Sequence, residues 1–426
     1  MRPPTKETSS RPAVLAVLPG LIPSTLIGVV KPLLLLHQRG ELELTVIPEQ
    51  LATQRGVVRC DLLVFARNCE PRFCLALDLA RRLRIPYVYD LDDDLFNVPA
   101  STKVGVYHES SERRALLIEY LRGAALVRTY AGTLAERLRL YAERIDVVRP
   151  SFDLSLIPSS PPSRRSQIRV VYATSRAEDE LASMFLPAIR RLTKEAHGRV
   201  TFTHWGGAPD ERLASREFGT IPFDKDYDRF VRRLYREAFD IGLAPLSNDE
   251  FHRSKTNTKF RDYGGCWVAG VYSDVEVYSS CVEDGITGLL VGDSEQEWYW
   301  AIRRLVEDDT QRLDIQRLAR RAVVENYSVA SAAQAWNREI TAILDKGPSP
   351  KRGTGGPLRP AGSSMTSNPV DCAESLSKLA PDATVADLVG SALQGSWKIW
   401  FSGALVFIRA HMSELRSYAK LWLATR

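Results

Sequence analysis

The sequence has few cysteines and no long apolar segment. Its six cysteines are scattered and none forms a C-x-x-C pair, which excludes a zinc ribbon and a thioredoxin-type motif. So few cysteines in 426 residues fit a reducing cytoplasm better than a disulfide framework. No apolar run approaches the roughly 18 residues that a membrane-spanning helix needs. The first apolar run, residues 13–18, is too short for the core of a signal peptide, and we interpret it as a buried strand.

Excess charge is also scarce over most of the chain. The formal net charge is +5, and residues 351–426 carry nine Lys/Arg against five Asp/Glu. The tail therefore holds a net charge of +4, which leaves about +1 for the first 350 residues. This balance excludes a nucleic-acid-binding surface over the main body. Hydrophobic residues make up 44% and charged residues 26%, a composition typical of globular proteins with a sizeable core.

The first part of the chain alternates short apolar runs with amphipathic stretches. This alternation is typical of strand–helix–strand units and parallel sheets. The predicted strands are residues 13–18, 42–47, 62–65, 87–89, 125–128 and 145–148. The predicted helices between them are residues 71–83, 111–121 and 133–141.

A second series of the same kind follows a Pro- and Ser-rich stretch. We interpret that stretch, residues 155–166 (SLIPSSPPSRRS), as a linker. The predicted strands after it are residues 168–172, 200–204, 241–245 and 270–273. The predicted helices are residues 178–194, 227–238, 255–266, 295–307 and 309–326. We therefore predict an α/β protein with two doubly wound Rossmann-like domains, residues 13–154 and 167–346, facing a cleft, with ligands at the carboxyl ends of the strands.

Both ends of the chain differ from these domains. Residues 1–12 are polar, residues 347–369 are rich in Gly, Pro and Ser, and both are predicted to be disordered. Residues 370–426 regain helical periodicity, with an apolar stripe rich in tryptophan and flanking basic residues at 397–415. Such an amphipathic tail suits an anionic membrane surface. A docking helix for a partner or another domain fits the pattern equally well.

The segment of residues 254–291 has the spacing expected of a phosphate site. On a helix, Lys255, Lys259 and Asp262 would share one face, because they are spaced i, i+4 and i+7. Two ammonium groups near a helix N-terminus suit a diphosphate, and a carboxylate one turn later suits ribose hydroxyls. The alternative is a solvated helix face with a Lys–Asp pair. Gly285 and Gly288 predict tight turns before an apolar run.

This segment resembles the donor-binding region of retaining GT-B glycosyltransferases. Their patterns K-x-x-E-Y-x-x-x-G-x-P-V-V-x-S-D and V-x-D-G-x-T-G-L-L-V are similar to residues 259–263 (KFRDY), 270–274 (GVYSD) and 282–291 (VEDGITGLLV). The resemblance implies a set of donor-binding residues: Arg176, Ser254, Lys255, Lys259, Asp262, Tyr263 and Tyr278.

Three departures from the family pattern bear on this interpretation. Ser254 and Asp262 stand where many members have the two glutamates of the donor signature. The glycine-rich loop after the first strand is replaced by residues 19–24 (PGLIPS). The exact donor contacts therefore differ from those of members with both glutamates.

Four carboxylates follow a predicted strand at Asp90, Asp92, Asp93 and Asp94. Residues 65–99 around them resemble a subgroup found in surface-polysaccharide assembly, whose signature includes Y-D-x-D-D-D-L-F. Three interpretations stay open: a divalent metal site, aspartates that cap the following turn, and groups that position or deprotonate an acceptor hydroxyl. Under the last interpretation, the catalytic candidates are Asp92, Asp93, Asp94 and His108. Arg67, at the end of another predicted strand, would lie on the acceptor side and pair either with this cluster or with a phosphate.

The resemblance implies a hexosyltransferase-type enzyme. It would move a sugar from a nucleotide-diphosphate sugar to a glycan or lipid-linked acceptor, with retention, in surface-polysaccharide or glycoconjugate synthesis. We expect no cofactor, no divalent metal and no nucleic-acid partner. We expect a cytoplasmic protein, peripheral on the inner membrane face through its tail. The alternatives are a catalytically inactive nucleotide-sugar-binding or glycan-binding subunit of the same fold and, less in line with the residues, a sugar-nucleotide epimerase.

Overall fold

The structure of the protein is a computed structural model that describes residues 11–175, 180–206 and 217–346. The predictions for residues 1–10, for Arg176 and for the tail from residue 347 lie outside the described residues. The chain divides into two compact units. Among the described residues, the N-terminal unit comprises residues 11–129, 135–148 and 333–346, and the C-terminal unit comprises those within 130–134 and 149–332.

The N-terminal unit contains a six-stranded parallel sheet with the order β2-β1-β3-β4-β5-β6. Its strands are β1 (Ala13–Leu18), β2 (Glu43–Pro48), β3 (Leu62–Ala66), β4 (Tyr87–Asp90), β5 (Leu126–Thr129) and β6 (Ile145–Val147). Val14 pairs with Leu44 on one side and with Leu62 on the other. The strand order reverses between β1 and β3, as in doubly wound α/β folds.

Helices of the N-terminal unit connect these strands. They are α1 (Pro23–Thr25) and α2 (Lys31–Gln38), joined by a π-helical segment (Leu26–Val30), then α3 (Gln54–Val58), α4 (Leu75–Leu83), α5 (Lys103–His108), α6 (Ser111–Gly123) and the end of α7 (Gly132–Leu138), with 3-10 turns at Glu49–Leu51 and Pro71–Phe73. Thr102 caps α5 by accepting a hydrogen bond from the Gly105 amide, which satisfies one of the free N–H groups of the first turn.

The C-terminal unit contains a second six-stranded parallel sheet, with the order β12-β11-β10-β7-β8-β9. Its strands are β7 (Ile168–Ala173), β8 (Val200–Trp205), β9 (Phe218–Ile221), β10 (Ile241–Ala244), β11 (Ala269–Ser273) and β12 (Leu289–Val291). Its helices are α8 (Leu186–Glu195), α9 (Tyr227–Glu237), α10 (Glu250–Arg253), α11 (Thr258–Gly265), α12 (Glu276–Ser279), α13 (Glu295–Glu307), α14 (Asp309–Asn326) and the start of α15 (Val329–Leu344), with 3-10 turns at Leu154–Leu156 and Glu180–Met184. The strand order reverses between β7 and β10.

The predicted fold class is confirmed: each unit is an α/β Rossmann-like arrangement around a parallel sheet. Every predicted strand is present, and the predicted helices 295–307 and 309–326 match α13 and α14. The short strands β9 and β12 were not predicted. Strand β9 has two exposed residues, so its sequence lacks the continuous apolar run of a central strand.

The division into units differs from the predicted domains. The boundary lies between Val148 and Arg149, before the Pro/Ser-rich stretch, and the chain returns to the N-terminal unit within α15. The physical reason is burial: Trp336, Ile340 and Ile343 lie in the hydrophobic core formed with β1, β2 and α2. Within the described residues, no helix is both long and apolar enough to cross a membrane.

Candidate functional site

The strand-order reversal in the C-terminal unit defines the first candidate region. Strands β7 and β10 are neighbours there, and the connections that leave their carboxyl ends run in opposite directions. Helix α11 follows β10 and precedes the parallel strand β11, so its N-terminus lies at the carboxyl edge of the sheet. Ligands of doubly wound sheets bind at this edge, at the point of reversal.

Helix α11 begins at Thr258, three residues later than predicted. Asn257 stands before it with a non-helical ψ of 42°, and its side-chain amide donates to the Tyr327 hydroxyl at 2.8 Å. Lys255 therefore lies in the loop after α10, with its Nζ 4.1 Å from the centre of the Phe251 ring. The prediction that Lys255 shares a helix face with the other two residues is wrong, while Lys259 does lie in the first turn of α11.

Arg261 organises this first turn, and the sequence analysis did not identify it. The residue is 2% exposed, and its guanidinium donates to the Ser151 carbonyl at 2.6 Å. It also donates to Asn257 Oδ1 and to Thr258 Oγ1, both at 3.1 Å. All the acceptors in these hydrogen bonds are uncharged oxygens. Nothing in the local sequence distinguishes this buried arginine from an exposed one.

Asp262 and Ser254, two of the predicted donor-binding residues, lie in the interior around α11. Asp262 is 2% exposed, and its carboxylate accepts a hydrogen bond from the Tyr227 hydroxyl at 2.7 Å. Burial raises the pKa of Asp262, although Lys259 nearby lowers it. Ser254 is buried as well, and its hydroxyl donates to the Glu250 carbonyl at 3.4 Å. Both residues thus contribute to the interior around α11.

Tyr263, another predicted donor-binding residue, is fully buried between β7 and β10. Its hydroxyl donates to the Leu243 carbonyl at 2.9 Å and accepts from the Ala173 amide at 3.4 Å. The paired register of the two strands ends before these residues. Tyr263 therefore supplies the hydrogen bonds that are missing where the strands separate. Gly242 leaves room for the ring, since a Cβ there would lie 2.6 Å from a ring carbon.

Tyr278, which is also a predicted donor-binding residue, is buried as well. Its ring packs against Tyr272 with ring centres 5.0 Å apart. The turn that follows α12 agrees with the predicted tight turn: Gly285 has a φ of +75°, and its amide donates to the Gly288 carbonyl at 2.8 Å. Asp284 accepts a hydrogen bond from the Leu290 amide at 2.8 Å, which fixes the turn against β12.

The N-terminal unit brings Arg67, Asp92 and Asp93 together at the carboxyl ends of β3 and β4. One guanidinium nitrogen of Arg67 donates to Asp92 Oδ1 at 2.6 Å and to Asp93 Oδ2 at 3.0 Å. Burial lowers the pKa of Arg67, but the two carboxylates outweigh this effect and raise it. Arg67 has a φ of 60°, a left-handed backbone conformation that is strained for a side chain of this size. This pairing is one of the two predicted for Arg67.

His108, at the end of α5, lies close to this ion cluster. Burial, together with the charges of Arg67 and Arg113, lowers the pKa of His108 to about 4. Its Nδ1 lies 3.9 Å from the Cys69 Sγ. The imidazole is therefore uncharged at neutral pH. Three of the four predicted catalytic residues, Asp92, Asp93 and His108, are thus brought together with Arg67.

Asp94 lies apart from this cluster, in the interior of the loop. It is fully buried, accepts from the Asn97 side chain and the Phe96 amide, and pairs with Arg137 at 2.8 Å. Through these contacts Asp94 links the loop to the Arg137 side chain. Across the described residues, no group of three or more His, Cys, Asp or Glu side chains has the arrangement of a metal site.

A further polar group borders the cluster, and the sequence analysis missed it. The side-chain amide of Asn68 donates to Glu49 Oε2 at 2.7 Å, and burial raises the pKa of Glu49 to about 7 although this hydrogen bond lowers it. Glu70 accepts from Arg113 at 2.9 Å and from the Tyr107 hydroxyl at 3.1 Å. The sequence offered one signal for them, since Glu49 and Glu70 stand two and five residues after the predicted strands 42–47 and 62–65.

No protein-family model matches the chain, and the comparison with curated proteins finds no match. Solved structures are similar at low sequence identity. HepE of Anabaena, solved with UDP and glucose, has a TM-score of 0.54 and 15% identity, covering 78% of this chain and 100% of that chain. A glycosyltransferase of Rickettsia africae has a TM-score of 0.55 and 13% identity, with coverages of 78% and 99%. Sucrose-phosphate synthase of Thermosynechococcus elongatus has a TM-score of 0.56 and 10% identity, with coverages of 79% and 100%.

The chain has the GT-B fold. The GT-B neighbours have the same two Rossmann-like sheets. Because the identities are low, the likeness concerns the fold, and function has to be argued from the site.

Proposed function

We propose that this protein is a nucleotide-sugar-dependent glycosyltransferase whose C-terminal unit binds the donor diphosphate at the N-terminus of α11. The observation that carries the proposal is the buried guanidinium of Arg261, which is bonded to uncharged oxygens around the first turn of that helix. A cation there lies at the positive end of the helix dipole, where an anion is favoured. The guanidinium and the positive end of the helix dipole repel each other, whereas a bound diphosphate would be attracted to both.

The neighbouring cations suit the same ligand. Lys259 is half-buried in the first turn, and Lys255 lies in the preceding loop. Free N–H groups at a helix N-terminus add donors for phosphate oxygens. HepE, which has the same fold, was solved with UDP and with UDP-glucose. These points support a nucleoside diphosphate as the leaving group.

The proposed reaction breaks the bond between the sugar's anomeric carbon and the diphosphate. Negative charge then grows on the diphosphate, and cations already in place stabilise it without reorganisation. Lys255, Lys259 and the amides of α11 would supply this stabilisation, and Arg176 stays a proposed contributor. The buried Arg261 would act indirectly, because its hydrogen bonds hold the loop of residues 256–258 in place.

The N-terminal unit is the proposed acceptor side. A sugar or other alcohol presents hydroxyl groups, which donate to carboxylates and to neutral imidazole. Asp92 and Asp93 offer carboxylates that Arg67 fixes in place, and His108 offers an uncharged ring nitrogen. The low pKa of His108 makes it a weak base, so we assign it to orienting the acceptor hydroxyl. This assignment agrees with catalysis that is mainly positional.

Nucleotide binding by the full chain tests the donor site. We expect UDP, GDP or dTDP to bind. We expect Lys259→Ala to weaken nucleotide binding by about 1.5–3 kcal/mol, which raises Kd roughly ten- to a hundredfold. Titration calorimetry measures this difference. The matched control is Lys194→Ala, because Lys194 is exposed in the last turn of α8, at the opposite edge of the same sheet. An equal affinity of the Lys259 variant and the wild type would refute the site.

Turnover tests the activity itself. We expect release of nucleoside diphosphate from a nucleotide sugar to depend on an added acceptor, and NMR of the product would give its anomeric configuration. Retention, a glycan or lipid-linked acceptor, and a place in surface-polysaccharide synthesis are further proposals from the sequence resemblance. Association of the tail with an anionic membrane is proposed from the amphipathic pattern of residues 397–415, which a docking helix would fit equally well. Co-sedimentation with phosphatidylglycerol vesicles, with and without residues 370–426, tests it.

A second candidate function is a nucleotide-sugar-binding subunit without catalysis. The burial of Ser254 and Asp262, at the two positions of the usual glutamates, favours this candidate. Nucleotide binding without acceptor-dependent turnover of any donor would support it over the enzyme.

A further inference from the structure

A buried ion cluster lies behind the loop that carries Asp92 and Asp93. Its centre is Arg128 in β5, which is 1% exposed. One guanidinium nitrogen of Arg128 donates to Asp90 Oδ2 at 3.1 Å. Its Nε forms an ion pair with Glu339 Oε2 at 2.8 Å, although these two atoms lack the geometry of a hydrogen bond. Asp90 and Glu339 are also buried. One guanidinium and two carboxylates are thus enclosed in the N-terminal unit.

The side chains packed around the cluster are largely apolar. The Arg128 guanidinium lies 3.7 Å from the centre of the Trp336 ring, and the Trp336 indole donates to the Gly28 carbonyl at 2.8 Å. Trp336 belongs to the core that also contains Val88 and Leu126. Burying ions in such a place is costly, and apolar residues of similar volume often stabilise a fold as well or better. The fold alone therefore does not explain the three charges.

The cluster is connected directly to the candidate acceptor residues. The Leu91 amide donates to the Arg128 carbonyl at 2.9 Å, and the Arg67 amide donates to the Asp90 carbonyl at 3.2 Å. Arg128 thus holds residues 90–91 through both its backbone and its side chain. Asp92 and Asp93 follow immediately, and Arg67 pairs with both of them.

We propose that Arg128 and Glu339 are positioning residues that fix the carboxylates of Asp92 and Asp93 for the acceptor, a role that rests on the proposed glycosyl transfer. Glu339 sets the orientation of the Arg128 guanidinium, Arg128 holds Asp90, and Asp90 sets where the loop leaves β4. The carboxylate at position 339 comes from α15, which joins the N-terminal unit only at Ala333. The end of the chain's last described helix therefore determines the geometry of a loop near residue 92.

The test compares Glu339→Gln with Ile343→Val in the full chain. Glu339→Gln keeps the shape of the side chain and removes its charge, whereas Ile343→Val removes one buried methyl group from the same helix. We expect Glu339→Gln to lower kcat for transfer about tenfold or more, since small misplacements of reacting groups have effects of this size. We expect the KM for the donor to change less than about twofold, because the proposed donor residues belong to the other unit. We expect Ile343→Val to leave both constants unchanged at a temperature where both variants are folded.

Arg128→Lys and Arg128→Met provide a second pair. The lysine keeps a charge but lacks the planar fork, so we expect a smaller loss of kcat than with methionine. An unchanged kcat in Glu339→Gln, or equal losses in Glu339→Gln and Ile343→Val, would overturn the proposal and leave the cluster a purely structural feature.

A measurement that does not require turnover distinguishes a failure of this proposal from a failure of the proposed function. Hydrogen–deuterium exchange of the amides of residues 91–97 is expected to rise in Glu339→Gln and Arg128→Met and to stay unchanged in Ile343→Val. A wild type that binds nucleotide without turnover, with faster exchange in the two variants, would refute the enzyme but support the coupling. Unchanged exchange in all variants would refute the coupling, whatever the activity of the wild type.

Discussion

Removal of the buried hydroxyl of Tyr263 should destabilise the C-terminal unit without weakening nucleotide binding. The hydroxyl donates to the Leu243 carbonyl at 2.9 Å and accepts from the Ala173 amide at 3.4 Å, and the ring is fully buried. Tyr263→Phe leaves both backbone groups without that partner. An unsatisfied buried group costs about 1–3 kcal/mol, with the lower end for the longer contact, so we expect a loss of about 2–4 kcal/mol.

The assay has to report on each unit separately, because a chain with two units does not unfold in a single two-state transition. Hydrogen exchange of peptides from β7 and β10 at increasing urea gives the local stability. Titration calorimetry with UDP or GDP, whichever binds the wild type, gives the affinity. Tyr89→Phe is the matched control, since the buried Tyr89 hydroxyl donates to a single carbonyl, that of Asn68, in the N-terminal unit. A tenfold or greater loss of affinity with unchanged stability would refute the buried placement and restore Tyr263 as a ligand contact.

Two further perturbations follow from the packing and the charges. Gly242→Ala is expected to destabilise β10 by about 1–3 kcal/mol in urea unfolding, because the added Cβ meets the Tyr263 ring. The control is Gly219→Ala, whose Cβ would make only ordinary contacts. Equal effects of the two substitutions would contradict the packing argument. Burial raises the pKa of Glu49 from 4.5 to about 7 in the folded state. Between these two pH values the folded state keeps a proton that the unfolded chain releases. The stabilisation from Glu49 is therefore fully present below pH 4.5 and is lost as the pH rises to about 7. Relative to Glu49→Gln, wild-type stability is therefore expected to fall by at most about 3 kcal/mol across that range, and a difference that is constant with pH in urea unfolding would contradict the buried carboxyl.

The strands and the fold class were predictable from sequence because central parallel strands are continuous apolar runs. Strands β1, β3 and β10 are buried almost throughout, so their sequences carry the signal directly. The helices α13 and α14 could be predicted for a related reason. Each has an aspartate or serine cap and a regular period, and these local features fix both ends.

The donor-side residues were harder to predict because burial depends on contacts distant in sequence. The start of α11 depends on Asn257, which is held by Tyr327, 70 residues later. Asp262 resembles an exposed helical carboxylate until Tyr227 is placed against it. A motif identifies which residues recur at a site, but it does not say which of them face the ligand and which support the others.

The positions of the candidate residues in the N-terminal unit were easier to predict, because a residue at the end of a parallel strand lies at a known edge of the sheet. Asp92 and Asp93 were expected at the carboxyl end of β4, with Arg67 at the end of β3, and the structure places them in contact. The separate role of Asp94 depends on Arg137, whose side chain approaches from α7. Neighbouring aspartates in one loop can therefore have different environments that the sequence alone does not distinguish.

The return of α15 to the N-terminal unit has a consequence for how the chain folds during synthesis. The first strands of that unit are made before residue 150, but the side chains of Trp336, Ile340 and Ile343 that complete their core are made after the entire C-terminal unit. Until then, the apolar face beneath β1 and β2 stays uncovered, a situation that promotes aggregation of nascent chains. A fragment that ends near residue 154 would remain in that state permanently. Helix α15 therefore completes the core of the N-terminal unit.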